Sequence, residues 1–248
     1  MANDNRERGE APEMLEDRLH DLRASASDVR LQSYRQSDQS DVDTVVHYLW
    51  NVRLSEALYP ILAIFEVTLR NQIHNALAER YGMEEWFDQK GVLHEREARE
   101  VGQSKEAIQR DEMPVDVGRV VSRLNLGFWC ALLQDSYEDR FWEPDGGALL
   151  KAVFPYAPEG SRSRNDLWKI CNSARVLRNR VAHYRPVYNQ PDLAEVHADT
   201  VAVIAWMSLA MADLVTLTDR FDEVWENGEN QARGRLGELW RVPGAAAE

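Results

Sequence analysis

At 248 residues, 44% hydrophobic and with 8 Trp, the chain can build a substantial core and falls outside the disordered class. Its formal charge of −13 and pI near 5.0 argue against a protein that coats DNA through a broadly basic surface. They leave room for a compact anion-binding site. The 2 cysteines, Cys130 and Cys171, sit in apolar helical contexts with no further Cys or His at ligand spacing, which points to buried free thiols rather than zinc.

In chain order, residues 1–40 are polar and poor in aromatics and read as a mobile leader, with a short amphipathic helix over Met14, Leu15, Leu19 and Leu22. The N-terminal stretch has no apolar h-region, so no secretory signal is expected. Residues 41–226 read as a single helical domain. Within it, Val45, Leu49, Leu54, Leu58, Ile61, Phe65, Leu69, Ile73 and Leu77 recur at helical spacing, with Gly82 as a natural stop. Pro60 interrupts that run and predicts a kinked helix or two abutting ones. Glu66, Arg70 and His74 follow at four-residue spacing, the pattern of an ion pair along a solvated helix face. Residues 95–111 alternate in sign as an exposed helix does, anchored by Tyr81, Trp86 and Phe87.

A further helix through Val117, Val120, Val121 and Leu124 meets Gly127-Phe128-Trp129, where the glycine suggests close approach of another backbone. Asp145-Gly146-Gly147 and the stretch from Tyr156 to Gly160 read as turns. The next helix, from Asn165, carries an apolar stripe of Leu167, Ile170, Cys171, Ala174, Leu177, Val181 and Ala182, and Pro186 ends it near Tyr184. Between Arg162 and Arg185 stand seven basic residues (Arg162, Arg164, Lys169, Arg175, Arg178, Arg180, Arg185) against one acidic, Asp166. A basic island in an acidic chain suggests a polyanionic ligand. A long apolar helix follows from Leu193 to about Val224, with Val201, Ile204, Leu209, Val215 and Leu217 as buried candidates. The tail, residues 227–248, is expected to fray, with Trp240 docking back. No apolar run reaches the roughly 20 residues of a membrane span, so a cytoplasmic setting is expected. Strand-period alternation is nearly absent, and the predicted class is all-α. No phosphate-binding loop or dinucleotide fingerprint occurs, so no cofactor is expected.

Asn179 and His183, four residues apart, share a helix face with Arg175 one turn earlier. Arg178 is rotated from His183 by roughly 140° and needs its long stem to converge. The sequence Arg178-Asn179-x-x-x-His183 resembles the signature of HEPN ribonucleases, and LRNRVAH followed by RPV is similar to their Abi-like (abortive-infection) branch. Two further blocks, Leu54–Ile73 and Arg119–Leu133, fit that branch in the same order, so the resemblance covers roughly residues 45 to 190. It implies a HEPN-like helical bundle with additional peripheral helices. It also implies a metal-independent RNA endonuclease acting as an anti-phage or toxin effector.

On that reading His183 transfers protons, Arg178 stabilises the anionic phosphorane and Asn179 orients imidazole or phosphate. Glu66, Arg70 and Asn71, on the helix facing the motif, would bind substrate together with Arg175, Arg180 and Arg185. One copy of the motif supplies one imidazole for two proton transfers, so the resemblance implies a homodimer with a composite site, and such an effector invites restraint by a protein or RNA antitoxin. The chain departs from the pattern after the histidine, where Tyr184 and Arg185 stand in place of a second His and an acidic residue. A non-catalytic module holding RNA or a nucleotide in the same groove is the alternative.

Overall fold

The computed structural model describes residues 4–144, 146–161 and 163–240, with side chains from residue 14 onward. Asp145 of the expected turn, Arg162 of the basic island and the end of the tail (241–248) lie outside the described residues. The described chain is helix and turn throughout, with no strand: all-α, as the periodicity indicated. Eleven α-helices follow in order: α1 Asp4–Ala26, α2 Asp28–Gln32, α3 Asp41–Tyr81, α4 Glu95–Arg110, α5 Val117–Arg123, α6 Leu126–Ala131, α7 Ala148–Val153, α8 Arg164–Ala182, α9 Leu193–Met207, α10 Leu209–Thr218 and α11 Phe221–Trp240. Among the described residues no helix is long and apolar enough to cross a membrane.

The apolar repeat from Asp41 folds as one helix, α3, with Pro60 inside it, rather than as two pieces. Its start is a reciprocal cap. Asp43 N–H donates to Ser40 Oγ (3.2 Å), while the Asp43 carboxylate accepts from Ser40 N (3.0 Å) and Ser40 Oγ (2.7 Å). The Ser40 hydroxyl, with help from Arg233, holds the Asp43 carboxyl down at about 2. Gly82 ends the helix at φ 68°, and Met83 N–H returns to the Ala78 carbonyl at 3.1 Å.

The described residues form two compact units. One comprises the chain up to Tyr59, Arg180–Leu193 and the segment from Asp219. The other comprises Pro60–Asn179 and Ala194–Thr218.

In the second unit the core gathers around Phe65, Leu69, Trp86, Phe128, Trp129, Phe141, Leu167, Cys171 and Ile204. The apolar stripe of α8 buries Leu167, Cys171, Ala174 and Leu177. Both cysteines are buried free thiols, and burial pushes the Cys130 thiol up to about 12. Gly127 admits a side chain rather than a backbone. A Cβ there would lie 2.8 Å from Asn125 Oδ1, the atom that caps α6 by accepting from Phe128 N (3.1 Å). The apolar run after Leu193 breaks at Ser208, whose Oγ caps the next helix by accepting from Met211 N (3.3 Å). The Trp206 carbonyl meanwhile accepts from Tyr156 N (3.0 Å). The restarted helix α10 buries Val215 and leaves Leu209 and Leu217, expected in the core, at 54% and 80% exposure.

In the first unit the residues expected as a leader are largely helical and contribute to the interior. Leu19 packs with Val45, Val46, Ala232 and Leu236, and Leu31 and Tyr34 are buried. The polar composition of this stretch hid a few apolar positions that one face of α3 and α11 can cover. The tail likewise continues as α11, and Trp240 packs against the same cluster. Gly228 of α11 faces Trp50: an added Cβ would stand 2.6 Å from Cδ1 and 2.8 Å from Nε1 of the indole. That ring is held by its N–H to the Val224 carbonyl (3.0 Å) and lies against Trp225.

Asn51, 3% exposed on α3, fastens the chain after α8. Its Oδ1 accepts from Val187 N (2.6 Å) and Tyr188 N (3.3 Å), and its amide donates to Tyr34 Oη (3.3 Å). Tyr188 Oη in turn donates to the Tyr34 carbonyl (3.0 Å), which His47 Nδ1 also meets at 3.2 Å.

Two stability outcomes follow from this packing. Gly228→Ala lowers stability by about 1–3 kcal/mol through overpacking against the fixed indole, outweighing the gain of up to about 1 kcal/mol that Ala brings to a helix interior; a higher urea midpoint would contradict it. Asn51→Leu leaves two buried N–H groups without an acceptor and costs about 2–4 kcal/mol, read as a fall in the same midpoint.

Candidate active site

Helix α8 brings six of the residues singled out in the sequence toward or past its C-terminal end. In the second unit, Arg178 Nε donates to Glu66 Oε2 of α3 at 3.0 Å, with the two side chains 37% and 21% exposed. The pair crosses from helix to helix; the ion pair expected along α3 between Glu66 and Arg70 is not what forms. Arg70 instead reaches Asn71 Oδ1 (3.4 Å) and the Ser122 carbonyl (3.5 Å) at the end of α5. Arg175 is held within α8 by Asn172 Oδ1, at 3.1 and 2.8 Å. Asn179 is half-buried and Asn71 exposed. So the structure joins Glu66 to Arg178, keeps Arg70 beside Asn71, and leaves Arg175 on a local partner. His74 accepts from Trp86 Nε1 at 3.1 Å, and burial lowers its pKa. That arrangement suits a neutral structural imidazole.

The Glu66 carboxylate matters for what Arg178 can do. It occupies Nε and leaves both terminal nitrogens without another hydrogen bond among the described residues. A guanidinium steered from its Nε side can offer its free edge to two oxygens of a phosphate.

In the first unit, α8 stops at Ala182, two residues before the expected end. Arg185 N donates to the Arg180 carbonyl (2.8 Å) and Tyr184 N to the Val181 carbonyl (3.0 Å), with Tyr184 in the left-handed region at φ 55°. This is the paired-bond helix stop that normally recruits glycine at the left-handed position. Arg180 locks it by donating from Nε and Nη2 to the Pro186 carbonyl (3.2 and 2.8 Å). The Tyr184 carbonyl accepts from Arg30 and from Tyr34 Oη (3.4 Å). His183 sits in this fastened turn, exposed, and neither it nor the Arg185 side chain has a hydrogen-bond partner among the described residues.

The basic island is thus mostly committed. Arg164 is 11% exposed, bound to Glu138 (2.5 Å) and the Leu133 carbonyl (2.8 Å), and Lys169 pairs with Asp166 at 3.4 Å. Of the described island residues, Arg185 alone has a wholly free side chain. Sequence reasoning missed Asn51, Tyr34 and Arg30, which hold the His183 turn. The one available signal was a polar Asn within the apolar repeat of α3. Among the described residues, no three His, Cys, Asp or Glu side chains gather as metal ligands.

The Glu66–Arg178 pair is partly solvent-screened, so Glu66→Ala and Arg178→Ala each cost less than about 1 kcal/mol, with a coupling of about 0.2–1 kcal/mol in a double-mutant cycle; strictly additive losses in urea unfolding would show that the pair does not form. Compared with known proteins, the chain matches no family model, no curated protein and no solved structure.

Proposed function

We propose that the chain is a metal-independent RNA endonuclease of HEPN type, with an Abi-like helical bundle, that serves in the cytoplasm as an abortive-infection or toxin effector. The observation that carries this reading is the Arg178 guanidinium, steered by Glu66 from its Nε side and with both terminal nitrogens unbonded among the described residues, in the motif Arg178-Asn179-x-x-x-His183, whose His183 is exposed. Cutting RNA without a metal requires removing a 2′-hydroxyl proton, stabilising a crowded anionic phosphorane and protonating the leaving 5′-oxygen. An imidazole performs proton transfers near neutral pH, and a guanidinium stabilises the phosphorane without ever losing its charge. Asn179 orients one or the other. Because each chain offers one such imidazole, the working form is a homodimer in which two motifs complete one site, held in check by a protein or RNA antitoxin.

A second reading has its own support. Glu66 neutralises part of the charge on Arg178, and a carboxylate at that position weakens the hold on a phosphorane while still admitting a bound strand. On this reading the chain is a non-catalytic module that holds RNA or a nucleotide.

The discriminating measurement is cleavage of a defined RNA in the presence of EDTA. His183→Ala lowers the rate by about 10²–10⁴-fold and Arg178→Ala by about 10²–10³-fold, with unchanged helical circular dichroism and a 2′,3′-cyclic phosphate on the product of the parent chain. Equal cutting by His183→Ala and parent overturns the nuclease; tight binding by both, with no product, selects the binding module. Full activity from a species that sediments as a monomer overturns the composite site.

A further inference from the structure

The first unit holds a cleft of 670 Å³ that no step of the proposed chemistry uses. One wall is a single face of α3, where Tyr48, Asn51, Val52, Ser55, Glu56 and Tyr59 follow at three- and four-residue intervals. The facing wall is Arg30 with the end of α8 and its turn, Val181, Ala182 and Tyr184. The volume suits one flat organic group. The lining is mainly apolar and rich in tyrosine, and its rim carries opposite charges in Arg30 and Glu56, the latter occupied by Arg220 at 3.2 Å.

Two features separate this cleft from an incidental groove. Tyr59 and Tyr184 line the cleft and yet stay 68% and 71% exposed. Tyr184 moreover holds a left-handed backbone conformation that glycine adopts freely and a bulky residue adopts at a cost. Its carbonyl is pinned by Arg30, whose guanidinium carbon lies 6.0 Å from the centre of the Tyr184 ring. The structure thus spends stability on keeping an aromatic ring in the turn, not on burying it.

We infer that this cleft receives an unpaired nucleobase of the RNA, stacked on Tyr184 and Tyr59, with the adjoining phosphate drawn by the free cation of Arg185 and by Arg30. Aromatic rings accept any base through its π-face, and a guanidinium beside them tracks the backbone. His183 stands in sequence between two lining residues, Ala182 and Tyr184, without itself lining the cleft, and the inference places the ribose and phosphate of the seated base on its side of the turn. The inference rests on the nuclease reading for the identity of the ligand and adds to it a subsite within one chain. It predicts a preference for single-stranded over duplex RNA, because a paired base cannot leave its stack without losing that pairing.

The test measures binding of a short fluorescein-labelled single-stranded RNA of mixed sequence to full-length chain carrying His183→Ala, by anisotropy. In that background Tyr184→Gly and Tyr59→Ala each weaken binding by about five- to a hundredfold, the loss that removing one base–aromatic stack produces, while Tyr184→Phe stays within about twofold, since the ring is kept. Tyr184→Gly relieves the left-handed strain, so its urea midpoint holds or rises, and weaker binding is then no sign of unfolding. An oligonucleotide with one abasic residue at the seated position loses affinity to the same degree and is then indifferent to Tyr184→Gly. Unchanged affinity in both tyrosine variants overturns the cleft assignment, and if the parent still cuts RNA the nuclease reading stands without it. Tyrosine-dependent binding by a parent that never cuts keeps the cleft and overturns the nuclease. A Tyr184→Gly effect on sedimentation alone, with RNA affinity intact, assigns the cleft to a second copy of the chain and overturns the inference.

Discussion

The turn that carries His183 keeps its shape because one buried amide answers it. Asn51 sits on α3, in a run otherwise read as apolar, and its carbonyl oxygen takes the backbone N–H groups of both Val187 and Tyr188. A buried polar group of this kind is worth little when satisfied and a great deal when one partner is missing. The same residue donates to Tyr34, which meets the Tyr184 carbonyl from the other side. The segment from Arg180 to Tyr188 is thereby held at both ends, by the bond pattern that stops α8 and by the amide that receives the chain beyond it. His183 is carried on a fastened turn instead of a free loop, which is the condition for an imidazole to act on a ligand in a defined geometry.

The charges obey a similar economy. An island of basic residues in an acidic chain looks from sequence like an open cationic patch, yet most of its members are already employed: Arg164 within the interior, Lys169 and Arg175 on near neighbours, Arg180 on a carbonyl. Arg178 is directed by Glu66, and Arg185 stands free. The electrostatic attraction for an anion is therefore narrower than the charge count implies. Among the described residues it falls on the few guanidinium edges that no protein group already holds.

What could be read from the sequence follows which signals are local. The helix α3, its stop at Gly82 and the apolar stripe of α8 as far as Leu177 are set by periodicity and by short-range geometry, and they were legible. Pro60 left a kinked helix and two abutting ones equally open, because its local preference does not say whether one helix continues through it; the helix continues. The N-terminal forty residues read as a leader because their few apolar positions, Leu19, Leu31 and Tyr34, acquire meaning only when α3 and α11 are present to cover them. Leu209 and Leu217 were assigned to the core by extending a repeat through Ser208, whose hydroxyl instead starts a new helix. At the candidate site, the spacing of Arg178, Asn179 and His183 was visible. The partner of Arg178 was visible as a residue but not as a contact, since residues 66 and 178 meet only across two helices. Division into two units left no mark in composition at all.

A histidine at the end of a helix has an ordinary explanation, which is to cap the last carbonyls and answer the helix dipole. The structure weakens that explanation here. The carbonyls of Arg180 and Val181 are already taken by the backbone N–H groups of Arg185 and Tyr184, so the imidazole is not needed to close the helix. It is exposed and makes no hydrogen bond among the described residues. The dipole term that remains for an exposed, salt-screened group is only about 0.3–1 kcal/mol. The neighbouring turn, meanwhile, places a tyrosine where glycine would sit without strain. A chain arranged for stability alone would make the opposite choice at Tyr184 and gain little from His183. On the proposed reading both residues serve a ligand bound beside them.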